Sequence, residues 1–163
     1  MRSMSLGLAL LTAGMSVCAF EQQGQVVTVL DGDTITFRAT GNSSDKSTQD
    51  IRLIQIDAPE RNQPFGRQAR ESLSALVQGK VLRIDELGKD RQGRTMGKLR
   101  MKGVEINLEQ IKRGMAWVDV KQAKDPDYAQ AEEQARTAHV GLWSQPNPLP
   151  PWEYRNLEIR WRE

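Results

Sequence analysis

At 163 residues the chain has room for one ordinary domain and a short appendage. A single cysteine excludes a disulfide framework and a thiolate metal site, so any metal must be held by oxygen or by the one histidine, His139. The formal charge of +2 is too small to give nucleic-acid affinity by itself; such affinity needs local placement of Lys and Arg.

The first nineteen residues read as a secretion signal. Arg2 precedes an apolar stretch at 6–17, shorter than the roughly 20 residues a membrane helix needs, and Val17-Cys18-Ala19 offers a cleavage site. Cleavage after Ala19 leaves a mature chain from Phe20 with no cysteine, and loss of Arg2 takes the charge from +2 to +1. The expected location is periplasmic or secreted, with an uncleaved anchor as the alternative. Residues 20–145 are then the folded domain, and 146–163 a Pro/Trp/Arg-rich strap.

Residues 25–30 and 34–38 are β-branched runs joined by Asp31-Gly32-Asp33, a hairpin signal. The polar segment 41–50 reads as a loop. Residues 51–56 form a nearly continuous apolar strand carrying one arginine, ended by Ala58-Pro59. Residues 67–77 are helical, with Ala69, Leu73, Leu76 and Val77 on one face and Gly79 as a stop. Strands at 81–85 and 95–101 follow, linked by a polar turn. A short helix over 107–113 takes Asn107 as cap and Gly114 as terminator. Asp125-Pro126 opens a third helix with Tyr128, Ala131, Ala135 and Ala138 on its stripe. The tail is expected to be extended and packed on the domain. Five short strands with about three helices make a small α+β protein.

Four carboxylates, Asp31, Asp33, Asp57 and Glu60, sit at two strand-to-loop junctions, where a rigid sheet presents functional groups and where hard cations find oxygen ligands. Arg52 lies inside an apolar strand, so it must meet a carboxylate, an anionic ligand or the surface. Its offset of five from Asp57 points the two to opposite faces of a regular strand. They converge only if the chain bends, which Ala58-Pro59 would allow. Arg94 follows a glycine turn and is read either as a second phosphate-facing guanidinium or as a solvated turn residue. Paired arginines beside carboxylates suit phosphodiester chemistry, since their forked donors match the charge developing on a phosphate. His139 is read as a surface group at a helix C-terminus, and the tryptophans 117, 143, 152 and 161 as packing residues.

Four blocks in order carry a resemblance: Val29-Leu30-Asp31-Gly32-Asp33-Thr34, Arg52-Leu53-Ile54-Gln55-Ile56-Asp57-Ala58-Pro59-Glu60, Asp90-Arg91-Gln92-Gly93-Arg94, and Arg113-Gly114-Met115-Ala116-Trp117-Val118. The chain resembles the staphylococcal (micrococcal) nuclease family from about Val26 to Trp143. That resemblance implies a five-stranded OB-fold β-barrel. It implies calcium-dependent hydrolysis of DNA and RNA with little sequence selectivity, leaving 3′-phosphate ends. By the same resemblance Asp33, Asp57 and the Ala58 backbone carbonyl are metal ligands, and Asp31 shapes the metal site. Glu60 is the general base or positions the attacking water, and Arg52 and Arg94 hold the phosphate. Its members' best-known representative has threonine in place of Ala58, a longer basic loop after Glu60, and base-packing aromatics that are absent here. A monomer is expected. The rival is a non-catalytic OB module that binds nucleic acid or protein; it has no use for Glu60 together with both arginines.

Overall fold

The computed structural model of the chain describes residues 20–40 and 47–160. The signal at 1–19, with Cys18, and Trp161 lie outside the described residues. In chain order the elements are β1 (Phe20–Asp31), β2 (Thr34–Ala39), β3 (Thr48–Leu53), β4 (Ile56–Asp57), α1 (Gly66–Val77), β5 (Val81–Lys89), β6 (Thr95–Met101) and β7 (Val104–Glu105). Then come α2 (Ile106–Lys112), β8 (Trp117–Val118), α3 (Pro126–Thr137), a 3-10 turn at Gly141–Ser144 and α4 (Pro151–Arg160).

Long β1 pairs antiparallel with both β2 and β5, β2 pairs with β3, and β5 with β6. A short parallel ladder between β3 and β6, with Ile51 opposite Thr95 and Leu53 opposite Gly97, closes the ring. The result is the expected five-stranded barrel, mixed rather than purely antiparallel, with four α-helices among the described residues where about three were expected. Alternate residues point inward as the pleat requires: Ile35 and Phe37 from β2, Ile51 and Leu53 from β3, Ile84 and Leu99 from β5 and β6, all inaccessible to solvent. Helix α1 closes the barrel by burying Ala69, Leu73 and Val77, and α2 and α3 add Ile106, Ile111 and Tyr128 to the same core.

Several local readings are corrected. The stretch 51–56 is not one strand, because β3 starts earlier, at Thr48, and ends at Leu53. A turn at Ile54-Gln55 separates it from β4. Gln55 takes a left-handed φ of 67°, so the bend lies upstream of Ala58-Pro59. Asn107 is not a cap. It sits fully buried in the first turn of α2, where its side-chain oxygen accepts from the Leu99 amide (3.0 Å) and its amide donates to the carbonyls of Ile54 (2.9 Å) and Gly97 (3.2 Å). One side chain thus ties the turn after β3 to β6 and pairs backbone groups there that would be costly to leave buried and unsatisfied. Ala138 is exposed, because α3 ends there. The tail is not extended throughout: residues 146–150 lack regular structure, but Pro151 then opens α4, as proline suits a first helical turn.

Two glycines set the approach of the segments that carry the carboxylates. A Cβ on Gly32 would stand 2.6 Å from the Cβ of Ala58 and 2.7 Å from that of Ala69, so only glycine lets the β1–β2 turn pack against β4's exit and α1. A Cβ on Gly66 would stand 2.0 Å from the Glu60 carbonyl oxygen, so the loop from Glu60 to α1 can fold back only over a bare backbone.

Candidate active site

Asp31 ends β1, and its side chain accepts from the Asp33 amide at 3.2 Å, an Asx turn that fixes the β1–β2 corner. Asp33 is 1 % exposed. One of its oxygens accepts from the Ala58 amide at 2.7 Å; the other accepts from the Thr34 hydroxyl and from Arg52 Nη1. The turn is thereby tied across the barrel end to the strand exit that carries the second carboxylate.

Arg52 extends from β3 between the two. Its Nη2 donates to Asp57 Oδ1 at 2.8 Å while Nη1 serves Asp33. The left-handed turn at Gln55 makes this possible, since it reverses the parity of the strand and brings Asp57 to the face of Arg52. β4 is held in place by pairing with β8, Asp57 opposite Trp117. Burial lowers the Arg52 guanidinium pKa, but Asp33 and Asp57 outweigh it and hold the group above its usual value. Burial pushes the Asp33 carboxyl well up, against the pull of Arg52, with Asp31, then Asp57, adding to the rise. Such a carboxylate has most to gain from a further cation.

Glu60 lies three residues on, in a loop locked by reciprocal bonds with Gln63: the Glu60 amide donates to Gln63 Oε1 (3.0 Å), and the Gln63 amide to the Glu60 carbonyl (2.9 Å). Its carboxylate is 37 % exposed, on the solvent side of Asp57. Arg155, from α4, reaches both: Nη2 donates to Asp57 Oδ2 (2.8 Å), and Nη1 to Asp57 Oδ1 (3.2 Å) and Glu60 Oε1 (2.6 Å). Hydrogen bonding to Asp57 is the largest cause holding the Arg155 guanidinium above its ordinary pKa.

Asp31, Asp33, Arg52, Asp57, Ala58 and Glu60 are therefore brought together as the sequence suggested. Arg94 is not joined to them by any bond among the described residues. It follows the turn before β6, and its Nε donates to Asp90 Oδ2 at 2.7 Å and its Nη2 to Gln92. It still lies close in the fold, two residues upstream of Met96, which neighbours Arg52 in the closing ladder. Sequence reasoning missed Arg155. The signal was present in Pro151-Trp152-Glu153-Tyr154-Arg155, a proline-initiated helix with an acidic first turn, had the tail not been read as extended. His139 is exposed at the end of α3. Trp117 and Trp143 are buried against each other edge to face, centroids 5.4 Å apart, and Trp152 is half-exposed. A cavity of about 920 Å³ lies away from these carboxylates, and in its lining Glu21 pairs with Arg83 and Asp85 with Arg100. A smaller one of about 230 Å³ adjoins Asp31 and is lined by Arg61, Arg67 and Arg70.

Comparison with known proteins agrees with this geometry. The sequence model described as "Staphylococcal nuclease homologue" matches residues 50–145, which include Arg52, Asp57, Glu60 and Arg94 but neither Asp33 nor Arg155. An uncharacterized endonuclease of Haemophilus influenzae is 41 % identical over 152 residues, covering 93 % of this chain and 83 % of its own. A micrococcal nuclease of Shigella flexneri is 37 % identical over 144 residues, covering 82 % and 80 %. An uncharacterized endonuclease of Escherichia coli O157:H7 is 38 % identical over 141 residues, covering 86 % and 88 %. A barrel with paired carboxylates bridged by Arg52, a family match over more than half its length and full-length relatives of this similarity place the chain in the staphylococcal nuclease family.

Proposed function

We propose that the chain is a calcium-dependent endonuclease that hydrolyses phosphodiester bonds in DNA and RNA and leaves 3′-phosphate ends. The observation that carries the reading is the convergence of Asp33, Arg52, Asp57 and Glu60 at one end of the barrel, with an acid–base group exposed and its partners buried. Arg61, Arg67 and Arg70 beside Asp31 offer the local positive charge that a nucleic-acid backbone needs.

The donors fit a hard divalent ion. Asp33, Asp57 and Glu60 gather carboxylate oxygens at one end of the barrel, and hard cations take oxygen ligands. Among the described residues no three carboxylate or imidazole groups converge as a metal cage. Carboxylates and a backbone carbonyl at loop junctions allow the wider, less regular oxygen coordination that calcium takes, whereas magnesium demands near-ideal octahedral geometry. Asp33, Asp57 and the Ala58 carbonyl would hold the ion; when bound it supplies positive charge to a phosphate oxygen and helps present a water.

The chain's own groups do the rest. A guanidinium has five N–H donors, and Arg52 uses one bond each on Asp33 and Asp57, so it keeps donors for a non-bridging phosphate oxygen while the carboxylates fix its plane. Arg94, at the neighbouring strand, supplies the second guanidinium after leaving Asp90. Glu60 accepts the proton of the attacking water as its oxygen bonds to phosphorus, the bond from phosphorus to the 5′ oxygen of the leaving strand breaks, and that oxygen takes up a proton from solvent.

Incubating the mature protein with supercoiled plasmid and with RNA should give cleavage in calcium, none in chelator and little in magnesium. Cleavage in magnesium equal to that in calcium, with calcium excluded, overturns the metal assignment. The site of action is outside the cytoplasm, on the strength of the segment at 1–19. Protein recovered from producing cells should have the mass of a chain beginning at Phe20, and retention of Met1 in the exported form overturns that.

A further inference from the structure

The C-terminal helix brings a guanidinium to the carboxylates on which the calcium reading depends, and the following inference rests on that reading. Arg155 engages both oxygens of Asp57 and one of Glu60, while Arg52 takes a further position on Asp57 Oδ1. A carboxylate has about four lone-pair sites, so Asp57 is left with little capacity for another cation. A divalent ion on Asp57 would also stand within a few ångströms of the Arg155 charge, an arrangement that like charges resist strongly at a partly buried site.

The two arginines differ in how firmly they are held. Arg52 is 24 % exposed and is pinned by the fully buried Asp33, whereas Arg155 is 42 % exposed and meets only the two outer carboxylates. Its helix is docked independently of it. Pro151 is buried, the Leu149 carbonyl accepts from Gln63 Nε2 at 2.5 Å, and Tyr154 donates to the Asn62 carbonyl at 3.3 Å. The side chain can therefore swing away while α4 stays in place, one residue beyond the tyrosine that anchors it.

We propose that Arg155 is a built-in counter-cation of Asp57 and Glu60 that a divalent ion displaces, so that metal binding frees the Arg155 guanidinium and uncovers Glu60. Nothing covalent is involved: one cation exchanges for another on the same oxygens, and the freed guanidinium remains at the mouth of the site, where a phosphate of the substrate arrives. The segment matched by the family model, 50–145, contains Asp57 and Glu60 but not this arginine, which comes from the tail.

The test is calcium titration by calorimetry, without nucleic acid, of the wild-type mature protein and Arg155→Gln, together with the Nε–H NMR resonance of Arg155. Arg155→Gln should bind calcium about tenfold more tightly, because the competing charge is gone. In the wild type, calcium should move the Arg155 resonance to the position of a solvated arginine. Arg155→Lys, which cannot bridge both carboxylates, should shift affinity in the same direction by less, and it serves if the glutamine variant folds poorly. Unchanged or weaker calcium binding by the variants, with an unmoved Arg155 resonance in the wild type, would show that Arg155 holds the carboxylates in place for the ion. That result overturns the proposal and leaves the calcium reading standing. Absence of calcium binding in every form, with plasmid cleavage that survives chelation, removes the calcium reading and the proposal together.

Discussion

Glu60→Gln should lower turnover at least a hundredfold while leaving the protein folded and able to bind a nucleotide 3′,5′-bisphosphate. The substitution keeps size and the bond from Gln63 to the backbone, and removes only the negative charge and the capacity to accept a proton. Positioned acid–base groups contribute about 10²–10⁴-fold in rate. Stability should change by less than about 1 kcal/mol, because the Glu60–Arg155 pair is over a third exposed on both sides. Single-turnover cleavage and calorimetric nucleotide binding on one preparation give the two quantities. Near-normal cleavage would leave the water without its proposed activator, and Glu60 would have to be reassigned as a partner of Arg155 alone.

Loss of Arg52 should damage both fold and chemistry. Arg52→Leu leaves Asp33 and Asp57 buried without their shared cation, and breaking a buried pair from one side costs about 3–5 kcal/mol. Protonation of Asp33, already pushed up by burial, limits the loss towards the lower figure. Arg52→Lys retains a charge but can satisfy only part of the bridge, so it should cost about 2 kcal/mol and still cut turnover by orders of magnitude, since a point charge does not reproduce a forked contact. Arg94→Lys is the contrast: its pair with Asp90 is partly exposed within one turn, and it should lose activity with less than about 1 kcal/mol of stability. Urea unfolding with an unchanged slope and initial cleavage rates measure these. Arg52→Lys with wild-type activity would make Arg52 a structural bridge and nothing more.

Most strands and helices were legible in the sequence because they depend on local signals, whereas their closure into a barrel and the gathering of the site residues were expected from the family resemblance. β-branched runs, turn residues and the stripe on α1 each announce themselves within a dozen residues. The Arg52–Asp57 problem is more instructive. Parity alone demanded a bend between them, and there is one, but it lies at Gln55. Nothing in Ile54-Gln55-Ile56 advertises a left-handed residue. The conformation is imposed from outside, by Asn107 holding the Ile54 carbonyl and by Asp119 donating to the Gln55 carbonyl. For the same reason Asn107 looked like a cap: its partners are far away in sequence. Arg155 was missed because its meaning comes entirely from a contact spanning 98 residues to Asp57, while the prolines before it suggested an extended chain.

The parallel ladder that closes the barrel has a consequence for how the protein comes to life. Residues 51–53 meet residues 95–97 across a large loop, and such distant pairings are late events, since chain entropy is lost before any contact rewards it. Arg52 rides on the closing strand, and the Asn107 brace reaches across the same seam to Ile54 and Gly97. The bend that brings Asp57 to the face of Arg52 is therefore completed only when this seam closes, so the alignment of the site depends on contacts between distant parts of the chain.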